Sequence, residues 1–282
     1  MRLQDRVSVV PFEAGAIKAA WPISGPCPDL NGAQAVTAHA APAESLVERA
    51  YARLRYALIV GQVIPGQRIT LGALAHQLGT SMTPVRDALS RLAAADALQH
   101  SREVGVIVPV LSQAELDELL RLRLAIEGTA FTNAAMLHRK ADWRGFKLLH
   151  ADLCRVSEGN DPVRFAAAVW ALRAAMLGLA RSSMLSMFVD RIWCRLGPTF
   201  TQRAANDETR ALLAFLLGEI VSAIGQRDPE QAHAAVVREI KAGMSWQPCS
   251  ADCELPAPPL VPGATASGSK PQDYAKSGAD HV

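Results

Sequence analysis

From Ser45 to Gln247 the chain carries apolar stripes punctuated by turn residues, and the rhythm changes near Val110. Val47, Ala50, Tyr51, Leu54 and Leu58 recur at helical spacing and predict one amphipathic helix. Gly61 and the segment Ile64-Pro65-Gly66 stop it. Leu71 to Leu78 predicts a second short helix, closed by Gly79. Thr83-Pro84 predicts the start of a third, since Thr is a good N-cap and Pro suits the first helical turn. Val85, Leu89 and Leu92 then face inward, and Val104 to Pro109 reads as a β-strand entered from a turn. Three helices and a hairpin over 45–110 make the layout of a winged helix-turn-helix.

Beyond Val110 only the helical period persists. Ser112-x-x-Glu115 predicts a capping box ahead of Leu116, Leu119, Leu120 and Leu124. Asp161-Pro162 and Asp228-Pro229 each set a capping Asp before a helix-starting Pro. Apolar-periodic stretches fall at 142–156, 163–180, 184–203 and 208–226, so residues 111–247 predict an all-α bundle of six to seven helices. The fold class expected is therefore mainly α. Residues 1–44 mix Ala, Pro and Gly without a period and read as an irregular extension. Residues 248–282, rich in Pro, Gly and Ser, read as a disordered tail.

Composition supports this picture. Half of the 282 residues are apolar and 20% are charged, which is enough for a core. The formal net charge is only +2. Segment 45–110 differs: seven arginines (49, 53, 55, 68, 86, 91 and 102) stand against four acids (48, 87, 96 and 103), a net +3. No uncharged apolar run reaches the roughly 18 residues of a membrane span, and Asp5, Glu13 and Lys18 interrupt any signal-peptide layout. Cys27, Cys154, Cys194, Cys249 and Cys253 are odd in number and scattered, as expected of reduced thiols in a cytoplasmic protein. No phosphate-binding loop and no nucleophile with a base at local spacing is present, so an enzyme is not expected.

Tyr51-x-x-Leu54-Arg55-x-x-Leu58-Ile59-x-Gly61, Pro65-Gly66-Gln67-Arg68-Ile69, and Leu74-Ala75-x-x-Leu78-Gly79-Thr80-Ser81-x-Thr83-Pro84-Val85-Arg86-Asp87-Ala88-Leu89-x-Arg91-Leu92 follow one another in order. Together they resemble the GntR family of bacterial transcriptional regulators. Leu119-x-x-Leu122-Arg123-x-x-Ile126-Glu127 and the helices after it resemble the FadR-type effector domain, or FCD domain. The resemblance implies a double-stranded DNA operator as partner, a homodimer reading two half-sites, and a small organic acid as effector. It places DNA contacts at Thr70, Ser81, Thr83, Arg86, Arg102 and the wing glycine Gly105. Thr83 and Arg86, three apart, share one helix face, and an Arg can donate twice to guanine. Two positions depart from the family. Gly72 and Met82 stand where its members commonly carry Arg, which removes charge and donors from the groove-facing surface. A ligand-binding or interaction protein on a regulator scaffold with weakened DNA binding is the alternative these departures raise.

Many members of this subfamily bind a divalent metal in the helical domain. Aligned on Phe165 and on Asp228-Pro229, the four ligand positions fall at Val169, Arg173, Leu217 and Glu239. None keeps a family ligand, so no metal and no other cofactor is expected. Arg173 and Glu239 would instead form a buried ion pair, or Arg173 with Arg123 would offer guanidinium forks to a carboxylate effector. The effector site expected is thus Arg123, Arg173, Glu239, Val169 and Leu217. His233, six residues before Glu239, points elsewhere on its helix. His138 and His150 are expected on bundle surfaces in solvated or capping roles. Trp143, Trp170 and Trp193 are expected in the core or a pocket wall, and Met184 and Met187 in helix packing.

Overall fold

The computed structural model describes residues 45–101, 105–138 and 143–244, all within one compact unit, Ala20–Gln247. Residues 1–44 with Cys27, residues 102–104 with Arg102 and Val104, and residues 248–282 with Cys249 and Cys253 lie outside the described residues. Helix α1 (Leu46–Ile59) starts where the Ser45 hydroxyl accepts from the Glu48 N–H at 3.2 Å, satisfying one of the helix's open donors. A two-residue strand β1 (Arg68–Ile69) leads into α2 (Leu71–Leu78), which ends at the left-handed Gly79. Helix α3 (Met82–Ala94) follows. It starts earlier than Thr83-Pro84 suggested: Ser81 holds the cap position and Thr83 lies in the first turn. Neither Ser81 nor Thr70, at the cap position of α2, makes a side-chain capping bond.

Strands β2 (Gln99–Ser101) and β3 (Gly105–Ile107) form the hairpin, and β3 lies between β1 and β2 in an antiparallel sheet. Arg68 and Gln99 both stand opposite Ile107. Strand β1 has no counterpart in the sequence reading. Val85, Leu89 and Leu92 are buried against Leu54 and Leu58, as their spacing predicts.

Six helices follow: α4 (Gln113–Leu137), α5 (Trp143–Ser157), α6 (Pro162–Leu179), α7 (Ser183–Arg203), α8 (Asp207–Gln226) and α9 (Pro229–Met244). Their starts obey the capping chemistry. Ser112 Oγ accepts from the Glu115 N–H at 3.3 Å while the Ser112 N–H donates to Glu115 Oε2 at 2.8 Å. Asp161 accepts from the N–H groups of Val163 and Arg164, both at 3.0 Å, and Asp228 accepts from Gln231 at 2.9 Å. By length and composition α6 could cross a membrane, unlike the sequence reading. It is the bundle's core helix, however, with Phe165, Val169, Leu172, Arg173 and Met176 fully enclosed.

Helix α1 joins the winged helix to the bundle by lying on α7. The approach is backbone to backbone. A Cβ at Gly197 would stand 2.3 Å from the carbonyl oxygens of both Leu58 and Ile59. At Gly61, where φ is +62°, a Cβ would meet Thr201 Oγ1 at 2.1 Å. Thr201 donates its hydroxyl to the Val60 carbonyl at 3.2 Å, and Arg55 pairs with Asp190. Burial outweighs Arg55 and raises the Asp190 carboxyl above its usual range, and burial also pushes the neighbouring Cys194 thiol well up.

Candidate functional site

Two groups of residues are candidates for function. The first is the outer face of the winged helix. Ser81, Thr83 and Arg86 are exposed on the first turns of α3, and Thr70 is exposed at the head of α2. Gly105 is exposed on the wing with φ +88°, a conformation L side chains avoid. Arg102 lies outside the described residues. Arg86 makes no ion pair or side-chain hydrogen bond with any described residue. Arg49, Arg53 and Arg68 are equally unengaged among the described residues. Arg91 is not: it pairs with Glu48 at 2.6 Å and stacks over Tyr51, 4.1 Å from the ring centre. Arg55 is committed to Asp190 across the domain joint. Asp190 lies outside the segment and offsets one charge of its net +3, whereas Glu48 is already counted in it. Gly72 is exposed with nothing within 4 Å of an added Cβ, and Met82 is 53% exposed. Both departures lie open to solvent.

The second is a charge cluster deep in the bundle. Arg123, Glu127, Arg173 and Glu239 all have 0% exposure. Arg123 donates from Nε to Glu127 Oε1 at 2.9 Å and from Nη2 to Oε2 at 3.2 Å, a bidentate fork. Arg173 donates from Nη1 to the same Oε2, and Trp193 Nε1 donates to Oε1 at 3.0 Å. Glu239 Oε2 accepts from Arg123 Nη2 at 3.3 Å and lies 2.9 Å from Arg173 Nη2. Both guanidinium carbons sit 4.9 Å from the Trp193 ring centre, where the π face adds attraction. Two cations and two anions make the cluster neutral, which is what burial demands. Burial pushes the Glu127 carboxyl up, but Arg123, Arg173 and the Trp193 N–H outweigh it and hold the group below the ordinary carboxylate range. Burial likewise opposes the charge on Arg123, and Glu127 and Glu239 more than restore it.

The pair Arg173–Glu239 thus exists, with Arg123 beside it, and Arg173 does not reach solvent. Val169, one turn before Arg173, and Leu217 on α8 are fully buried hydrocarbon. Glu127 is the member the sequence reading left out of the site. Its signal was present: Arg123 and Glu127, four apart, fall on the face of α4 that also buries Leu116, Leu119, Ala130 and Ala134. The divalent cation implied by the resemblance does not fit these residues. Its four positions offer two hydrocarbon side chains, one carboxylate and a guanidinium, and a second guanidinium stands beside them. Among the described residues no group of three or more His, Cys, Asp and Glu could hold a metal.

The surroundings of the histidines and methionines differ from expectation, except that His138 does hold the cap position of α4, while the tryptophans lie as expected. His138 is buried, with only 4% exposed, and its ring contacts the Ala135 carbonyl at the end of α4. His150 is half-buried between α5 and α8, its Nε2 3.2 Å from the Ala214 carbonyl. Met184 and Met187 are 57% and 42% exposed rather than packed. Trp170 and Trp193 are core residues, and Trp143 covers Gly225.

Comparison with known proteins joins both groups. The profile of bacterial regulatory proteins of the gntR family matches residues 46–108, and the FCD domain profile matches residues 118–242. The chain is 33% identical over 201 residues to the probable D-xylose utilization operon transcriptional repressor of Paenarthrobacter nicotinovorans, covering 65% of this chain and 83% of that one. It is 30% identical over 145 residues to the regulator McbR of Escherichia coli K12, spanning 51% of this chain and 66% of McbR. The solved E. coli McbR/YncC structure superposes with a TM-score of 0.65 at 26% identity, over 70% of this chain and 94% of that one. A GntR-type regulator from Rhodococcus sp. RHA1 shares the fold at a TM-score of 0.59 and 20% identity, over 70% and 95% of the two chains. With the winged helix over one profile and the charge cluster inside the other, the chain belongs to the gntR family of bacterial regulatory proteins and is a transcriptional regulator carrying an FCD domain.

Proposed function

We propose that this regulator binds an operator as a homodimer in the cytoplasm, and that a small organic acid in the helical domain modulates the binding. The observation that carries the DNA half is the exposed Arg86, unpaired among the described residues, beside Thr83 at the head of α3, with Ser81, Thr70 and Gly105 also exposed. A helix N-terminus offers N–H groups and a positive dipole to phosphate, and the Arg fork reads guanine. Exposed Leu122, Met184 and Phe188 on α4 and α7, helices that pack on each other through Arg195 and Glu115, support burial against a second copy. For the effector half, the support is two guanidinium groups enclosed in an FCD domain that holds no metal donor set among the described residues. Sequencing of DNA selected by the purified protein, with gel shifts on the selected duplex, tests this. A paired-half-site motif whose shift changes with organic acids supports the reading. No shift at low salt with folded protein favours the alternative, a ligand-binding scaffold weakened at Gly72 and Met82.

A further inference from the structure

The two buried carboxylates of the cluster are held very differently. Glu127 uses both oxygens and takes four hydrogen bonds, two from Arg123, one from Arg173 and one from Trp193. Glu239 takes one, from an Arg123 Nη2 that Glu127 already shares. Its Oε2 is 2.9 Å from Arg173 Nη2 but not aligned for a hydrogen bond, and its buried Oε1 has no partner. The donors around it are left over as well. Arg123 presents its Nε and Nη2 edge to a carboxylate and satisfies both N–H groups. The same edge of Arg173, Nε with Nη2, is buried and hydrogen-bonds nothing, and so is Trp170 Nε1, one helical turn before it on α6.

We propose that Glu239 is an internal stand-in for a ligand carboxylate. A small carboxylate anion docks on the Nε/Nη2 edge of Arg173, within reach of the Trp170 N–H, and displaces the Glu239 side chain, while Glu127 stays as the fixed counter-ion. The chemistry selects the class: a planar two-oxygen anion matches an Arg edge, as Glu127 does on Arg123, and a cation or neutral hydrocarbon satisfies neither orphan donor. With the displaced Glu239 carboxylate turned out of the bundle to solvent, one buried anion replaces another and the cluster stays neutral, which addition of an anion beside a buried Glu239 would not allow. The inference names the site and the exchange for the effector binding proposed above and rests on that reading.

The test is chemical rescue in the full chain without DNA, using sodium acetate against sodium chloride at equal ionic strength and neutral pH. Wild type, Glu239→Ala and Arg173→Gln are melted across a concentration series of each salt. Glu239→Ala is expected to melt lower than wild type and to recover with acetate but not chloride. Its half-maximal acetate concentration should be about tenfold below that of wild type, because the internal competitor is gone. Arg173→Gln, which removes the docking edge, should show no acetate-specific recovery. Glu239→Gln, which keeps the shape and removes the charge, serves if the Ala variant does not fold, and should respond to acetate likewise. A folded Glu239 variant that responds equally to both salts overturns the proposal, as does an equal acetate response in Arg173→Gln. Acetate rescue together with a failed gel shift would leave this site standing and remove the operator reading instead.

Discussion

Single residues decide how strongly the winged helix can hold DNA. The domain spends Arg55 on Asp190 and Arg91 on Glu48, so the proposed operator contact falls to Arg86 on α3, with Arg49, Arg53 and Arg68 also unpaired among the described residues. Gly72 and Met82 are the two places where a further cation is sterically free, since Gly72 has open space around it and Met82 is half in solvent. Gly72→Arg and Met82→Arg should each raise affinity for the selected operator about tenfold, the lower part of the roughly 1–3 kcal/mol of a good base contact. Where the new side chain meets phosphate instead, affinity for all sequences rises and the salt dependence steepens by about 0.9 in log–log slope. Gel shifts at several salt concentrations, on operator and scrambled duplex, separate these outcomes. Unchanged affinity in both variants would mean that α2 and the head of α3 do not face the groove.

At the scale of elements, α7 is the part both halves of the protein share. Trp193 on one side of it donates to Glu127, and Gly197 and Thr201 on another side seat the end of α1. Gly197→Ala should therefore loosen the domain joint, because the added Cβ meets backbone oxygens at 2.3 Å and the whole of α1 must move. We expect a loss of about 1–3 kcal/mol, as for overpacking in a core, and faster proteolysis in the 60–68 connection. Gly178→Ala is the control, since nothing lies within 4 Å of its added Cβ, and it should gain up to about 1 kcal/mol in helix propensity. Equal melting of the two variants would remove α7 as the joint. This joint was not legible in the sequence. Helix starts were, because Ser112, Glu115, Asp161 and Asp228 act on N–H groups three residues away. The start of α3 was misread because Thr83 has the chemistry of a cap while the chain turns at Ser81. Strand β1 has two residues, too few for any period, and exists because β3 pairs with it. Arg173 and Glu239 were found by alignment to a family pattern, but Glu127 was not, since Arg and Glu four apart also suit a solvated helix face. Only the third dimension turns that spacing into a pivot between three helices.

The whole molecule carries opposed titrations, and their signs predict its response to acid. Glu127 and Glu115 are both held below the ordinary carboxylate value, Glu127 by its arginines against burial, Glu115 first by the Ser112 hydroxyl and N–H of its capping box. For such groups the stabilisation is complete above the unfolded carboxyl value, roughly pH 4.3, and is lost as pH falls through the lower folded value. Asp190 is raised by burial, so its sign is reversed: folding gains as pH falls from its folded value toward its unfolded one. Stability should then hold or rise slightly from neutral to mildly acidic pH and drop steeply below about pH 4. Urea midpoints measured across that range check the shape. Asp190→Asn should remove the mild-acid gain, with its difference from wild type shrinking as pH falls. Glu115→Gln should shallow the acid limb a little, since its carboxylate is partly exposed, and Glu127→Gln much more, since breaking one partner of a buried network strands two arginines. If Glu127→Gln folds with an acid limb as steep as that of wild type, the cluster is not what acid dismantles. The steepness would then belong to surface carboxylates, and the bundle's centre would owe its stability to Trp193 and Phe131 packed against the guanidinium groups rather than to the charges themselves.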